Sequence, residues 1–140
     1  MNSQARTIAI LGAGPIGLEA ALYARTLGHP VTVYEAGRVG EHLTRWGHVP
    51  LFTPWALNVS PLGERRLVET GARKHPFDPA AFPTGAQVVA AYLRPLAGLP
   101  ELSGSVREGH RIRAVGRGDL LKGDGVGDGS RDVGDAGHDA

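Results

Sequence analysis

A glycine motif near the N-terminus constrains the fold more than any other feature of the chain. Gly12, Gly14 and Gly17 form a complete GxGxxG. The apolar run at residues 7–11 comes directly before it, and is typical of a strand buried on both faces of a parallel sheet. Good helix formers fill residues 15–27, with a proline suited to the first turn. This order predicts an α/β fold with a Rossmann-like parallel sheet and a βαβ unit.

The second half of this unit indicates what the glycines are for. Gly28 is placed to cap the helix, and residues 31–34 form a second short apolar strand that ends on Glu35. The three glycines allow a tight turn, close approach of the backbone to a pyrophosphate, and close packing of helix on strand. The helix N-terminus offers free N–H groups to phosphates. Glu35 is placed to accept hydrogen bonds from a ribose 2′-hydroxyl, which favours FAD or NAD over NADP.

Residues 7–35 resemble the N-terminal FAD-binding fingerprint of two-dinucleotide-binding-domain flavoproteins, the group of pyridine nucleotide-disulfide reductases and flavin monooxygenases. The form GAGPIG followed by Leu18 is similar to the FAD branch. The resemblance implies a FAD-dependent oxidoreductase. In the complete enzyme, hydride would pass from NAD or NADP as co-substrate through the flavin to an unknown small-molecule substrate. The cofactor-binding residues that it implies are Gly12, Ala13, Gly14, Pro15, Ile16, Gly17, Glu35 and Ala36, with the pyrophosphate at Gly12, Gly14, Pro15 and Ile16 and the adenosine ribose at Glu35.

The chain is shorter than the proteins it resembles, and this leaves other interpretations open. Residues 36–140 hold no second GxGxxG in a strand-to-helix context. We expect an incomplete FAD/NAD(P)-binding domain at residues 1–121 and a Gly/Asp-rich disordered tail at residues 122–140. One alternative is a truncated or frame-shifted nucleotide-binding module without catalytic activity. Another is an NAD-binding, dehydrogenase-like fragment. Since the active site would be incomplete, no catalytic residue is assigned.

The middle of the chain is less specific. Glycines and prolines break up residues 36–63, which predicts a long loop: Gly37, Gly40, Gly47, Pro50, Pro54 and Pro61. In the family that residues 7–35 resemble, this segment runs back towards the flavin ring. The resemblance therefore implies that Arg38, Trp46, His48 and Trp55 could wall the ring; the alternative is that the aromatic residues pack against a domain of the complete enzyme. Thr84 is a suitable N-cap for a helix over residues 86–93, which Pro95 should end or kink. The alternation over residues 110–116 predicts a third strand, preceded by a loop at residues 98–105.

Composition excludes several classes of protein. There is no cysteine, so the chain holds no disulfide, thiolate metal site or CxxC redox pair. The six histidines lack metal-binding spacing, and we expect no metal. The net charge of +1 comes without a basic run, and we expect no nucleic-acid partner. No apolar stretch is long enough to span a bilayer. We expect a cytoplasmic protein that does not bind membranes; the oligomeric state is not indicated.

Overall fold

The computed structural model describes residues 5–116. The predicted tail at residues 122–140 and the predicted domain end at residue 121 lie outside the described residues. The described part holds a three-stranded parallel sheet in the order β1-β2-β3, with helices packed against it. It is a partial, Rossmann-like α/β domain, as predicted.

The predicted strand, glycine turn, helix and second strand are all present. β1 is Ile8–Leu11, α1 is Pro15–Thr26 and β2 is Val31–Tyr34. α1 begins after Gly14, whose extended backbone makes it the N-cap, and Gly28 follows the helix with a φ of 82°. β1 and β2 pair in parallel from Ile8 with Val31 to Leu11 with Tyr34. The helix and both strands therefore have the connection that the sequence predicts.

Only one face of the sheet is buried within the described part. Val31 and Val33 are buried in the core, while Ile8 and Ile10 pack against it. On the other face Ala9 is exposed and Leu11 is 54% exposed. The prediction that β1 is buried on both faces is therefore wrong for residues 5–116, because no described helix covers the second face.

The predicted loop over residues 36–63 contains helical structure. α2 is Glu41–Arg45, a 3₁₀ turn covers Trp55–Leu57, and α3 is Pro61–Glu69. α3 begins where the Ser60 side chain accepts a hydrogen bond from the Gly63 N–H at 2.8 Å. Glu64 lies in the first turn of α3, where a negative charge is favourable. The loop prediction is thus wrong for these three stretches.

The next helix runs through its proline. α4 is Gly85–Val88, a π-helical turn covers Val89–Leu93, and α5 is Arg94–Ala97. Thr84 and Gln87 cap α4 with a reciprocal pair of hydrogen bonds, which confirms Thr84 as the N-cap. Pro95 does not end the helix. Pro95 has no backbone N–H and cannot donate the hydrogen bond of a regular α-helix. The wider π-helical turn directly before it replaces the regular hydrogen-bonding pattern at this point.

The third strand lies earlier than predicted. β3 is Val106–Arg107 and pairs in parallel with Val33 and Tyr34 of β2. Residues 110–116 are irregular and exposed, so the strand predicted there is wrong. Within the described residues, no neighbouring strand pairs with this alternating segment.

The core joins the buried sheet face to α1, α3 and the helix that contains the π turn. Its fully buried larger side chains are Tyr92, Leu18, Leu22, Leu67, Leu93, Leu96, Leu99, Leu102, Val33, Val88 and Pro83. The Tyr92 hydroxyl donates a hydrogen bond to Glu19 Oε1 on α1 and accepts one from the Ser60 N–H at 3.0 Å. Within residues 5–116 no helix is both long and apolar enough to cross a bilayer.

Candidate functional site

The glycine turn connects β1 to α1, and each glycine has its own structural reason. Gly12 has a φ of 101°, a conformation that side chains rarely allow. A Cβ on Gly17 would overlap the carbonyl oxygen of Gly12, so only glycine lets α1 pack this closely on the turn. Gly14 differs from both: its φ is −86° and nothing lies within 4 Å of where its Cβ would be. Gly14 therefore faces open space at the start of the helix.

Glu35 lies beside this turn and is held in place by backbone N–H groups. Its Oε2 accepts a hydrogen bond from the Ala13 N–H at 2.8 Å, and its Oε1 accepts one from the Gly37 N–H at 2.8 Å. The Glu35 N–H also donates to the carbonyl of Arg107 at the end of β3, and the Glu35 carbonyl accepts the His110 N–H. A carboxylate oxygen has room for more than one donor, so Glu35 keeps capacity for a ligand hydroxyl.

A cavity of 340 Å³ lies between the glycine turn and Glu35. Its walls include Gly12, Gly14 and Ile16 on one side and Gly40, Glu41 and Leu43 on the other. Ile16 is 83% exposed although it is apolar. The cavity thus joins a carboxylate, a helix N-terminus and an apolar side chain.

The start of α2 is fixed to the glycine turn, and the sequence analysis did not identify it as part of the site. The Gly40 N–H donates to the Ala13 carbonyl at 3.1 Å. Gly40 has a φ of 71°, and a Cβ there would overlap Val89. A pair of glycines at positions 37 and 40, directly after the strand-ending acid, is the sequence signal that indicates this second turn.

A second apolar cavity adjoins the first beyond Ile16. It has a volume of 290 Å³ and shares Pro15, Ile16 and Leu43 with the cavity at the glycine turn. Leu51 and Leu57 also line it, and the half-buried Glu19 and the buried Tyr92 lie at its polar side. Burial and the hydrogen bond to Glu19 raise the pKa of the Tyr92 hydroxyl above its ordinary value of 10.0.

The structure brings the predicted cofactor-binding residues together, whereas Trp55 of the loop packs elsewhere. Gly12, Gly14, Pro15, Ile16, Gly17 and Glu35 line one cavity, Ala13 donates to Glu35, and Ala36 lies in the adjoining cavity. Trp55 is instead buried and stacks on Phe77, with ring centroids 4.0 Å apart. Of the two interpretations left open for Trp55, packing is the one that its surroundings support.

Metal-binding residues were also sought in the described part. Among residues 5–116 no group of three or more histidine, aspartate or glutamate side chains is arranged to hold a metal ion. The chemistry that the site offers there comes from backbone N–H groups, one fixed carboxylate and apolar walls.

The β1, glycine turn, α1 and β2 segment is also the part that resembles a known family. Residues 7–39 match the family model of pyridine nucleotide-disulphide oxidoreductases. The match covers the glycine turn, Glu35 and the start of the second turn, and supports a nucleotide-binding oxidoreductase module in this part of the chain. Neither the curated proteins nor the solved structures gave a match.

Proposed function

We propose that this chain binds the ADP half of FAD and is part of an FAD-dependent oxidoreductase. The cofactor would bind along Gly12, Ala13, Gly14, Pro15, Ile16 and Gly17, with the pyrophosphate over Gly12, Gly14, Pro15 and Ile16. The adenosine ribose would lie at Glu35 and Ala36. The observation that carries the proposal is the Glu35 carboxylate, fixed by the Ala13 and Gly37 N–H groups beside an open helix N-terminus.

Gly14 supports the fit of a pyrophosphate. It has no steric need to be glycine within the protein, since a Cβ would meet nothing within 4 Å. The open space in front of it is where a phosphate would approach the N–H groups of α1. We expect such a glycine, which the fold itself does not require, at a position that contacts a ligand.

The apolar cavity beyond Ile16 supports FAD rather than NAD. Ile16, Leu43, Leu51 and Leu57 offer a surface for a large aromatic ring system next to the pyrophosphate position. A nicotinamide nucleotide ends in a smaller, more polar ring. FAD, when bound, supplies the redox chemistry, and the residues of this chain bind it, orient it and exclude water.

The wider parts of the proposal follow from the resemblance. Hydride would come from NAD or NADP in the complete enzyme, and the substrate is an unidentified small molecule. The nucleotide-binding domain would cover residues 1–121 and the Gly/Asp-rich tail residues 122–140. We also propose that the protein is cytoplasmic. The alternatives are a nucleotide-binding module without catalytic activity and an NAD-binding, dehydrogenase-like fragment.

Isothermal titration with ADP and with FAD tests the binding site. Gly14→Ala should weaken the affinity for both ligands about tenfold, which corresponds to about 1.4 kcal/mol, because its Cβ occupies the phosphate position. Gly116→Ala is the matched control, since Gly116 also has open space around its Cβ position and lies outside the site. Equal affinities for the two variants would contradict the assignment of the pyrophosphate to this turn.

Two further measurements separate the cofactors and the activities. A flavin absorption spectrum that survives desalting supports FAD, whereas thermal stabilisation by NAD and not by FAD or ADP supports the dehydrogenase-like alternative. Oxidation of NADH or NADPH, in the presence of FAD and faster than with free flavin, shows catalytic activity. Binding of FAD without such oxidation favours the non-catalytic module.

A further inference from the structure

Two adjoining cavities on the far side of Glu35 form a cleft that carries four arginines. The cavities have volumes of 620 and 630 Å³, and Arg38 and Glu108 line both of them. We call them together the arginine cleft, after Arg38, Arg45, Arg94 and Arg111. In the ion pairs found within residues 5–116, the cations are Arg65 and Arg66. The four arginines of the cleft therefore have no carboxylate partner in the described part of the chain.

The acidic residues of the cleft are bound to backbone groups instead. Glu108 Oε1 accepts the Val39 N–H at 2.7 Å, and Glu41 Oε2 accepts the Arg38 N–H at 3.3 Å. Both carboxylate oxygens of Glu35 accept backbone N–H groups as well. These carboxylates keep their charge, so the cleft has four arginines against three glutamates and an excess of one positive charge. Because the carboxylates are directed at amides and form no ion pair with the arginines, the guanidinium groups remain open to a further anion.

The same chain contains a segment of the opposite charge close to the cleft in sequence. Residues 122–140 hold five aspartates and two basic residues. The chain passes the cleft at Arg111, and residues 111–116 are exposed. Residues 117–140 span up to roughly 80 Å when extended, which is enough to return to the cleft. A segment linked this closely also has a high effective concentration at its site.

We propose that residues 122–140 dock on the arginine cleft of the same molecule and compete there with an anionic nucleotide. Aspartate and arginine form charge-assisted hydrogen bonds, and several weak pairs act together when they share one segment. Docking itself does not depend on the function proposed above. Competition does, because the cleft includes Glu35 and Ala36, where the adenosine ribose would lie.

Paramagnetic relaxation measures docking directly. The chain has no cysteine, so a nitroxide attached through Ala136→Cys labels one position. The amides of Arg38, Arg94 and Arg111 should broaden more than that of Arg65. The difference should vanish when salt rises from about 10 mM to about 1 M, which shortens the Debye length from about 30 Å to about 3 Å. Equal broadening at all four sites, or a difference that salt leaves unchanged, would overturn the proposal.

Charge variants identify the groups involved. Replacing all five tail aspartates by asparagine should abolish the selective broadening. Arg94→Gln should reduce it, and Arg65→Gln, which removes the same charge outside the cleft, should leave it unchanged. An equal effect of both arginine variants would mean a response to net charge alone and would contradict docking at the cleft. Broadening of an isotope-labelled chain by spin label on a different chain would show docking between molecules and overturn the proposal as stated.

Titration with ADP tests the competition. The five-asparagine variant should bind ADP several-fold more tightly than the wild type at low salt and equally well at high salt. Equal affinity at low salt, with selective broadening still present in the wild type, would overturn the competition while docking stands. If ADP binds to no variant, the proposed function fails, and the relaxation experiment still decides whether the tail docks.

Discussion

The Tyr92 hydroxyl donates a hydrogen bond to the Glu19 carboxylate across 73 positions of sequence. This bond joins the π-helical turn to α1, the helix whose N-terminus faces the candidate site. The same hydroxyl accepts the Ser60 N–H at the start of α3. One side chain thus fixes three elements relative to one another.

Tyr92→Phe should destabilise the fold without changing its shape. The variant leaves the Ser60 N–H and Glu19 without their partner, and an unpaired, partly buried polar group costs about 1–3 kcal/mol. Chemical denaturation measures the change in unfolding free energy. Tyr23→Phe is the matched control, because Tyr23 is 60% exposed and removing its hydroxyl should change the unfolding free energy little. Equal losses in the two variants would contradict the structural role given to Tyr92.

Stability should fall at alkaline pH because of the same residue. The pKa of Tyr92 in the folded protein lies above its ordinary value of 10.0, mainly through burial and then through the hydrogen bond to Glu19. The stability this provides is fully present below pH 10 and is lost as the pH rises above it, by up to about 1.4 kcal/mol per pH unit. Unfolding of wild type and Tyr92→Phe should therefore converge between about pH 10 and pH 12. Parallel curves would show that Tyr92 does not titrate differently on folding.

Gly17→Ala should destabilise the fold more than Gly14→Ala does. A Cβ at Gly17 overlaps the Gly12 carbonyl, so the variant should lose about 3 kcal/mol of stability, the upper range for overpacking. Gly14→Ala should cost less than about 1 kcal/mol, as for an unfavourable N-cap. Thermal unfolding without ligand measures both. A larger loss of stability in Gly14→Ala than in Gly17→Ala would contradict the open space around the Gly14 Cβ position.

Glu35→Gln should affect both stability and binding. An amide NH₂ would face either the Ala13 or the Gly37 N–H, so one charge-assisted hydrogen bond is lost at a cost of about 1.5–3 kcal/mol. Loss of the ribose acceptor should also weaken ADP binding. Glu69→Gln serves as control, since its ion pairs are on the surface. Unchanged ADP affinity in a folded Glu35→Gln protein would contradict the ribose assignment.

Thr84→Ala should reveal how much the capping box stabilises the helix that carries Tyr92. The Thr84 side chain accepts the Gln87 N–H, and the Gln87 side chain accepts the Thr84 N–H at 2.8 Å. Its removal should cost about 1 kcal/mol in urea unfolding. Thr26→Ala, at the exposed end of α1, should cost less, because its hydroxyl bonds a solvent-accessible carbonyl. A cost within error of the control would show that α4 does not need its cap.

The βαβ unit was predictable from sequence because each of its parts depends on local chemistry. The glycines permit the turn, Pro15 fits the first turn of the helix, and Gly28 adopts the positive φ that follows it. The position of Glu35 at the end of β2 followed from the length of the apolar run. The sequence did not indicate that the Ala13 N–H holds the Glu35 carboxylate, because this contact joins residues that are 22 positions apart.

The rest of the fold escaped prediction for two physical reasons. The short helices between residues 41 and 69 lie among glycines and prolines, which we interpreted as loop signals, although Ser60 before Pro61 is a helix start. β3 has two residues and depends on pairing with Val33 and Tyr34, so its own sequence carries little information. The aromatic pattern around Trp55 reports packing on Phe77, a partner that only the tertiary structure identifies.

The open face and single neighbour of β1 have a thermodynamic consequence for the glycine turn. Within the described residues, β1 pairs only with β2, and its second face is exposed. The strand that presents the turn is therefore held by β2 along one edge and by α1 on one face. The first N–H groups of α1 would also bind phosphate. Ligand contacts at that helix end would raise the free energy needed to detach the strand. Hydrogen exchange of the β1 amides should therefore slow when nucleotide binds. Nucleotide binding and local unfolding of this strand would then be thermodynamically coupled.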